Sequence, residues 1–302
     1  MGVLANSALV DTADQASPAA QLGAQAVASL IDEARLSPKP GLVDSRGSGA
    51  HGDLDLALME RSAISLQPAF AAMAQAGASA GAPTIALRET LGRLGRDAEA
   101  TMMLATGGIN THRGAIWALG LLVAAAAIEQ RHARPAHTAA IAATAGAIAR
   151  HADRNAPAFT GNKGERACRA FNVTGARGQA QAGFPHVVAL GLPELQRSRA
   201  RGDSETSARL NALLAIISQL DDTCVLSRGG RAALTQVQRA ASAVLAEGGA
   251  ATLAGRRALC RFGADAVACN LSPGGAADLL AATLLLDRIA CNFATRPARR
   301  SS

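Results

Sequence analysis

The chain has no tyrosine, one tryptophan and six phenylalanines, so aromatic rings make up 2% of its 302 residues. Binders of single-stranded nucleic acid stack bases on such rings, which argues against that class. A core without rings has to be filled by Ala, Leu, Ile and Val, and the first two favour helix. Lysine is scarce as well: of 30 basic residues only Lys39 and Lys163 are lysine. No cysteines form a CxxC pair; Cys168, Cys224, Cys260, Cys269 and Cys291 are odd in number and scattered. That pattern fits reduced, mostly buried thiols in a cytoplasmic protein. The longest apolar run, AIWALGLLVAAAAI, has fourteen residues. That is short of the roughly 18–20 that cross a bilayer, so it reads as a buried helix and no membrane partner is expected. The N-terminus has neither the basic start nor the apolar stretch of a signal peptide. There is no Walker A loop, no GxGxxG dinucleotide turn after a strand, no GxSxG elbow between strand and helix, and no HExxH helix, which removes the common nucleotide and hydrolase sites.

What remains is a helical pattern and a positive charge. Apolar residues recur at three and four spacing in LALMERSAISLQPAFAAMA, RGAIWALGLLVAAAAIEQ, 208–217 and AADLLAATLLLDRIA. There is no hairpin signal, fixed-period repeat or composition shift. The expected fold is all-α: one globular helical domain over 21–294, between a flexible N-terminal segment 1–20 and a basic flexible tail 295–302. Gly-rich polar segments at 37–55, 105–114, 153–185, 221–231 and 270–276 should be functional loops gathered at one side. The net charge of +7 and pI near 10.1 suit an anionic partner.

Each segment carries chemistry beside a plainer reading. In PKPGLVD, two prolines and Gly41 present Lys39 and Asp44 stiffly, although a helix-ending turn uses the same residues. SGAHGDLD sets His51 and Asp53 two apart among glycines. In ATGGINTHRGAI, Asn110 and Thr111 read as turn and N-cap of the next helix, and His112 and Arg113 add polar groups to its positive end. GARGQAQAGFP holds Arg177 between glycines. DDTCVLSRGG supplies Asp222 and Arg228. NLSPGGAADLLA offers Ser272 as an N-cap, Pro273 at the first helical position, Gly274 and Gly275 for close backbone approach, and Asp278 a turn inside, where an acid also offsets the helix dipole.

In this order, EARLSPKPGLVD, GAHGD, GGINTHRGAI, GARGQAQAGFP, DDTCVLSRGG and LSPGGAADLLA resemble the triphosphoribosyl-dephospho-CoA synthases, from about Glu33 to Asp287. The resemblance implies a soluble, all-helical transferase. It would move the triphosphoribosyl part of ATP, its substrate, to the 2′-hydroxyl of 3′-dephospho-CoA and release adenine. The product would pass to an acyl-carrier-protein transferase, and a homo-oligomer is allowed. NTHRGAIW leans towards the malonate decarboxylase branch over the citrate lyase branch. Where the family usually has RGEA, this chain has Gln179.

Cleaving the ribose–adenine bond builds positive charge on the sugar. Asp44 or Asp53, with Glu33 as a further choice, is expected as base or stabilising carboxylate. His51 or His112 is expected to protonate adenine. Lys39, Lys163, Arg113, Arg177 and Arg228 would hold phosphates, and Mg²⁺ would bridge the triphosphate to Asp222 or Asp278. The rivals are a non-catalytic nucleotide or nucleic-acid binder and an ATP N-glycosidase.

Overall fold

The computed structural model describes residues 17–132 and 137–294. Within them the chain is all-helical. It runs through α1 (Pro18–Arg35), α2 (Leu56–Ser65), α3 (Gln67–Ala80), α4 (Ile85–Ala105), α5 (Arg113–Arg131), α6 (Thr138–Arg150), α7 (Lys163–Phe171) and α8 (Gly175–Gln181). A π-helical turn, His186–Gly191, leads into α9 (Leu192–Ala200), α10 (Glu205–Ile217), α11 (Thr223–Ala246), a 3₁₀ turn (Gly249–Ala251), α12 (Leu253–Ala268) and α13 (Gly274–Ala294). Residues 1–16 and the tail 295–302 lie outside the described residues. Pro18–Ala20, inside the expected flexible segment, already form the first turn of α1, capped by the Ser17 hydroxyl, which accepts from Ala20 N at 3.1 Å.

The core is where α5, α13, α10, α3 and α1 meet, and small residues set their spacing. A Cβ on Gly77 of α3 would fall 2.2 Å from the carbonyl oxygen of Ala124 in α5, and one on Gly23 of α1 would fall 2.9 Å from Ala71 N. Helices in such close approach leave no room for rings, which accounts for a core of Ala and Leu with so few aromatics. By length and composition α5 is apolar enough to cross a bilayer, but 78% of its apolar stretch is buried inside the protein.

Two expected loops are largely helix. Residues 153–185 contain α7 and α8. Asn162 caps α7 by accepting from Glu165 N at 2.9 Å, while the Glu165 carboxylate reaches back to Thr160 N at 2.8 Å. This capping arrangement starts a helix that buries only Ala167, so apolar periodicity did not reveal it. In 221–231 the Gly pair does not end α11: Gly230, at φ 67°, puts a kink in it and the helix resumes. The thiols also depart from expectation. No disulfide links them among the described residues, but Cys224, Cys260, Cys269 and Cys291 are exposed and Cys168 is half-buried. On α12 the buried face is Ala258, Leu259, Phe262 and Ala266, and Cys260 falls off it.

Candidate active site

The 36–55 loop is held by the carboxylate of Asp44. It accepts from Ser37 Oγ (3.1 Å), Lys39 N (2.9 Å), Arg46 N (2.7 Å) and Arg46 Nη2 (2.8 Å). Burial alone would raise its pKa, but the bonds from Arg46 and from the backbone of Lys39 and Arg46 outweigh it and hold the group below its ordinary value. Asp44 is therefore the staple of the loop, with its lone pairs spent. Lys39 does not face an open phosphate site either. It is buried, and Nζ donates to the Glu33 carboxylate at 2.5 Å and to the Glu33 carbonyl at 2.6 Å. Gly41, at φ 67°, serves packing: a Cβ there would lie 2.1 Å from the Leu271 carbonyl oxygen.

That approach brings the loop against the segment leading into α13. His51 Nε2 lies 2.8 Å from Ser272 Oγ, and its Nδ1 lies 3.2 Å from Arg228 Nη2. A guanidinium can only donate, so Nδ1 is unprotonated and Nε2–H donates to the serine. Burial, then the charge of Arg228, lowers the His51 pKa, with Asp53 opposing and Lys163 adding to the decrease. Arg228 also donates to Ala50 O (3.0 Å) and Asn270 Oδ1 (2.7 Å), so it clamps two loops together instead of standing free for phosphate. The Ser272 hydroxyl meets His51, and the backbone N–H in the first turn of α13 goes to Asp222 in place of the expected serine cap.

Asp222 provides that cap. Its Oδ1 accepts from Cys224 N (2.8 Å) and Val225 N (3.3 Å) at the start of α11, and its Oδ2 accepts from Ala276 N (2.9 Å) in the first turn of α13. Burial raises its pKa and these backbone donors, with Gly275, oppose the rise. Asp278 plays the matching part for α5, where it bonds the Ala115 N–H, and a Cβ on Gly114 would fall 2.0 Å from its Oδ2. The side chain is half-buried. Burial, then nearby Glu33 and Asp222, push its carboxyl well above the ordinary range. Gly164 of α7 lies 3.7 Å from Thr223 Oγ1, and Gly274 lies 3.0 Å from Cys224 Sγ, both measured from an ideal Cβ. The N-termini of α5, α7, α11 and α13 thus meet at one place beside the 36–55 loop, here called the pit, where positive dipole ends gather although Asp222, Asp278 and Asn162 already take several of their N–H groups.

His112 stands below the pit, 3% exposed. Its Nδ1 lies 2.8 Å from Ser62 Oγ, while Nε2 is buried without a partner. Burial and then Lys39 lower its pKa to about 4. The ring is neutral at pH 7, so the expected role as proton donor does not fit. Asn110 Oδ1 accepts from Arg113 N at 3.2 Å, as a cap would, whereas Thr111 turns its hydroxyl to Ser62 Oγ at 2.6 Å. Arg113 is paired with Glu99 at 2.9 Å. Three expected residues remain available: Lys163 is exposed at the first position of α7, Arg177 is exposed on α8, and Asp53 is 67% exposed with Oδ1 at 3.9 Å from His51 Nδ1.

The donor set does not fit the expected Mg²⁺ site. Both oxygens of Asp222 take helix N–H groups, the Asp278 carboxyl is driven towards its neutral form, and among the described residues no group of three His, Cys, Asp or Glu is arranged around a metal. Gln179 Oε1 lies 3.0 Å from His186 Nδ1, so the family's usual carboxylate position here serves a link to the π-helical turn. Sequence reasoning missed Arg46, Ser62 and Asn270. Of these Ser62 left a trace, as a polar residue one turn after Leu58 on the buried face of α2. A mostly apolar groove between α11 and α12, lined by Gln236, Val237, Ala240, Phe262, Asp265, Ala266 and Leu271, borders the loop at Gly41.

Comparison with known proteins bears on this site. A family model described as CitG: ATP:dephospho-CoA triphosphoribosyl transferase matches residues 19–296. A 2-(5″-triphosphoribosyl)-3′-dephosphocoenzyme-A synthase of Klebsiella pneumoniae is 62% identical over 265 residues, 88% of this chain and 93% of the relative. Proteins described as probable synthases of the same name are 58% identical in Stutzerimonas stutzeri (90% of this chain, 93% of the relative) and 55% identical in Pseudomonas aeruginosa (96% of each). No solved structure matches the chain.

Proposed function

The chain belongs to the ATP:dephospho-CoA triphosphoribosyl transferase family, and we propose that its reaction takes place in the pit where the N-termini of α5, α7, α11 and α13 converge. The enzyme transfers the 5-triphosphoribosyl group of ATP to 3′-dephospho-CoA, making the 2′-linked product and releasing adenine. The observation behind this reading is the meeting of these helix starts with Lys163 on the first turn of α7, since several positive dipole ends and a compact ammonium together suit a triphosphate.

Departure of adenine leaves an oxocarbenium-like ribose, which needs a carboxylate with free lone pairs. Asp53 is that group, because Asp44 is consumed by the loop. It stabilises the sugar or takes the proton of the attacking hydroxyl as adenine leaves from the opposite face. Burial lowers the pKa of both histidines, so we assign the proton for adenine to Asp278, whose carboxyl burial, Glu33 and Asp222 push well above the ordinary range. A Mg²⁺ ion would arrive on the phosphates of ATP; Asp222 and Asp278 are not its ligands. NTHRGAIW supports assignment to the malonate decarboxylase branch, with the product passed to an acyl-carrier-protein transferase in the cytoplasm. Asp53→Asn should lower the rate of adenine release about 100-fold while thermal stability is unchanged, as expected for an exposed side chain. A full rate in that variant would remove Asp53 from the mechanism.

A further inference from the structure

We propose that Arg88, Arg96, Arg177 and Trp117 form a second anion subsite, which takes the diphosphate of the dephospho-CoA substrate; the choice of ligand rests on the reaction assigned above. Arg88 and Arg96 lie two turns apart on α4, with Gly92 between them. A Cβ on Gly92 would fall 1.9 Å from Asp153 Oδ2, and that oxygen lies 2.9 Å from Arg96 Nη1 and 3.5 Å from Arg88 Nη1. Arg88 is 7% exposed, its guanidinium carbon is 4.8 Å from the centre of the Trp117 ring, and its Nε is buried without a partner. Trp117 Nε1 donates to Ala176 O at 3.2 Å. This ties α5 to α8 and brings the next residue, Arg177, close enough for its charge to act on Arg88.

The charges do not balance. Arg88 and Arg96 share one carboxylate, Asp153, whose second oxygen accepts from Asn155 N, and Arg177 adds a third guanidinium nearby. The other acids facing this region have their own partners: Glu89 is paired with Arg154 at 2.6 Å and Glu99 with Arg113 at 2.9 Å. A clamp holding the 151–162 loop to α4 explains Asp153, Arg88 and Arg96. It explains neither the third arginine nor the Arg88 Nε, a buried donor left without an acceptor, which is costly. A bound diphosphate resolves both, since guanidiniums form the strongest charge-assisted bonds to phosphate oxygens.

Position selects the substrate. The start of α8 touches the pit, with a Cβ on Gly175 falling 3.4 Å from Thr223 Cγ2, and Arg177 follows two residues later. The subsite therefore adjoins the triphosphate site without being part of it, as an acceptor nucleotide requires when its ribose hydroxyl must reach the reaction centre.

Arg177→Ala and Arg96→Ala change accessible side chains and should leave the fold intact. Each is expected to raise KM for 3′-dephospho-CoA about tenfold, while KM for ATP stays within about twofold. Inorganic pyrophosphate should compete with 3′-dephospho-CoA. Trp117 is the sole tryptophan, so its fluorescence should change when 3′-dephospho-CoA alone is added to the wild type and change less with Arg177→Ala. A rise in KM for ATP instead, or no change in either constant in both variants, overturns the subsite. If wild type released no adenine the reaction assignment would fail, and the fluorescence titration would still decide: weaker dephospho-CoA binding in Arg177→Ala keeps the subsite, and equal binding removes it.

Discussion

Asp222 joins two helices through one carboxylate, and its removal should be felt by both. Asp222→Ala strips the cap from α11, where Cys224 N and Val225 N lose their acceptor, and from α13, where Ala276 N does. A single N-cap contributes about 1 kcal/mol and up to about 2. Here both ends are buried with Asp222 at 3% exposure, so water does not replace the lost acceptor. Two caps then give a loss of about 3 kcal/mol, or about 6–12 °C in Tm for a chain of this size. Asp222→Asn should cost about 2 kcal/mol, because one oxygen survives for one helix while an amide N–H₂ meets the donors of the other. Urea unfolding at pH 7, with and without MgCl₂, measures this. A loss below about 0.5 kcal/mol in both variants would refute the double cap. So would a wild type strongly stabilised by Mg²⁺ alone, with that gain absent from Asp222→Asn, since Asp222 would then be a metal ligand.

His112 titrates near 4 when folded, against 6.5 when exposed, so the unfolded chain binds the extra proton. Stability should accordingly fall as pH drops from about 6.5 towards 4, by up to about 3 kcal/mol from this one group. His112→Gln should flatten that part of the profile in urea midpoints at pH 7 and pH 5, and an unchanged slope would contradict the assignment. The buried Lys39–Glu33 pair gives a third test. Lys39→Met should destabilise by about 3 kcal/mol by leaving a lone buried carboxylate, and adding Glu33→Leu should recover part of it. Additive losses in the double variant would show that the two groups are not coupled.

The helices were legible wherever an apolar stripe meets the core, as in α5 and α13, because periodicity records which face is buried. Helix α7 was not, since its helix state comes from Asn162 and Glu165 at one end and not from an apolar face. The site's members were legible one by one, as polar residues in Gly-rich text. Their partners were not: Lys39 finds Glu33 six residues back across a turn, and His51 finds Ser272 across 221 positions. Asp222 and Asp278 look like metal ligands in sequence because buried carboxylates among glycines serve either purpose. What separates the two is the direction of backbone N–H groups from other helices, which spacing does not encode. Likewise Asp153 gives no local sign that Arg88 and Arg96, far earlier in the chain, converge on it.

The most direct measurement is chromatography of a reaction containing the full chain, ATP and MgCl₂, run with and without 3′-dephospho-CoA, following adenine and the acceptor together. The account predicts adenine release that depends on 3′-dephospho-CoA and equals, mole for mole, the triphosphoribosyl product formed. Adenine release at the same rate without the acceptor would show hydrolysis of the glycosidic bond, and no adenine together with tight retention of RNA would show a binding protein; either result contradicts the transferase.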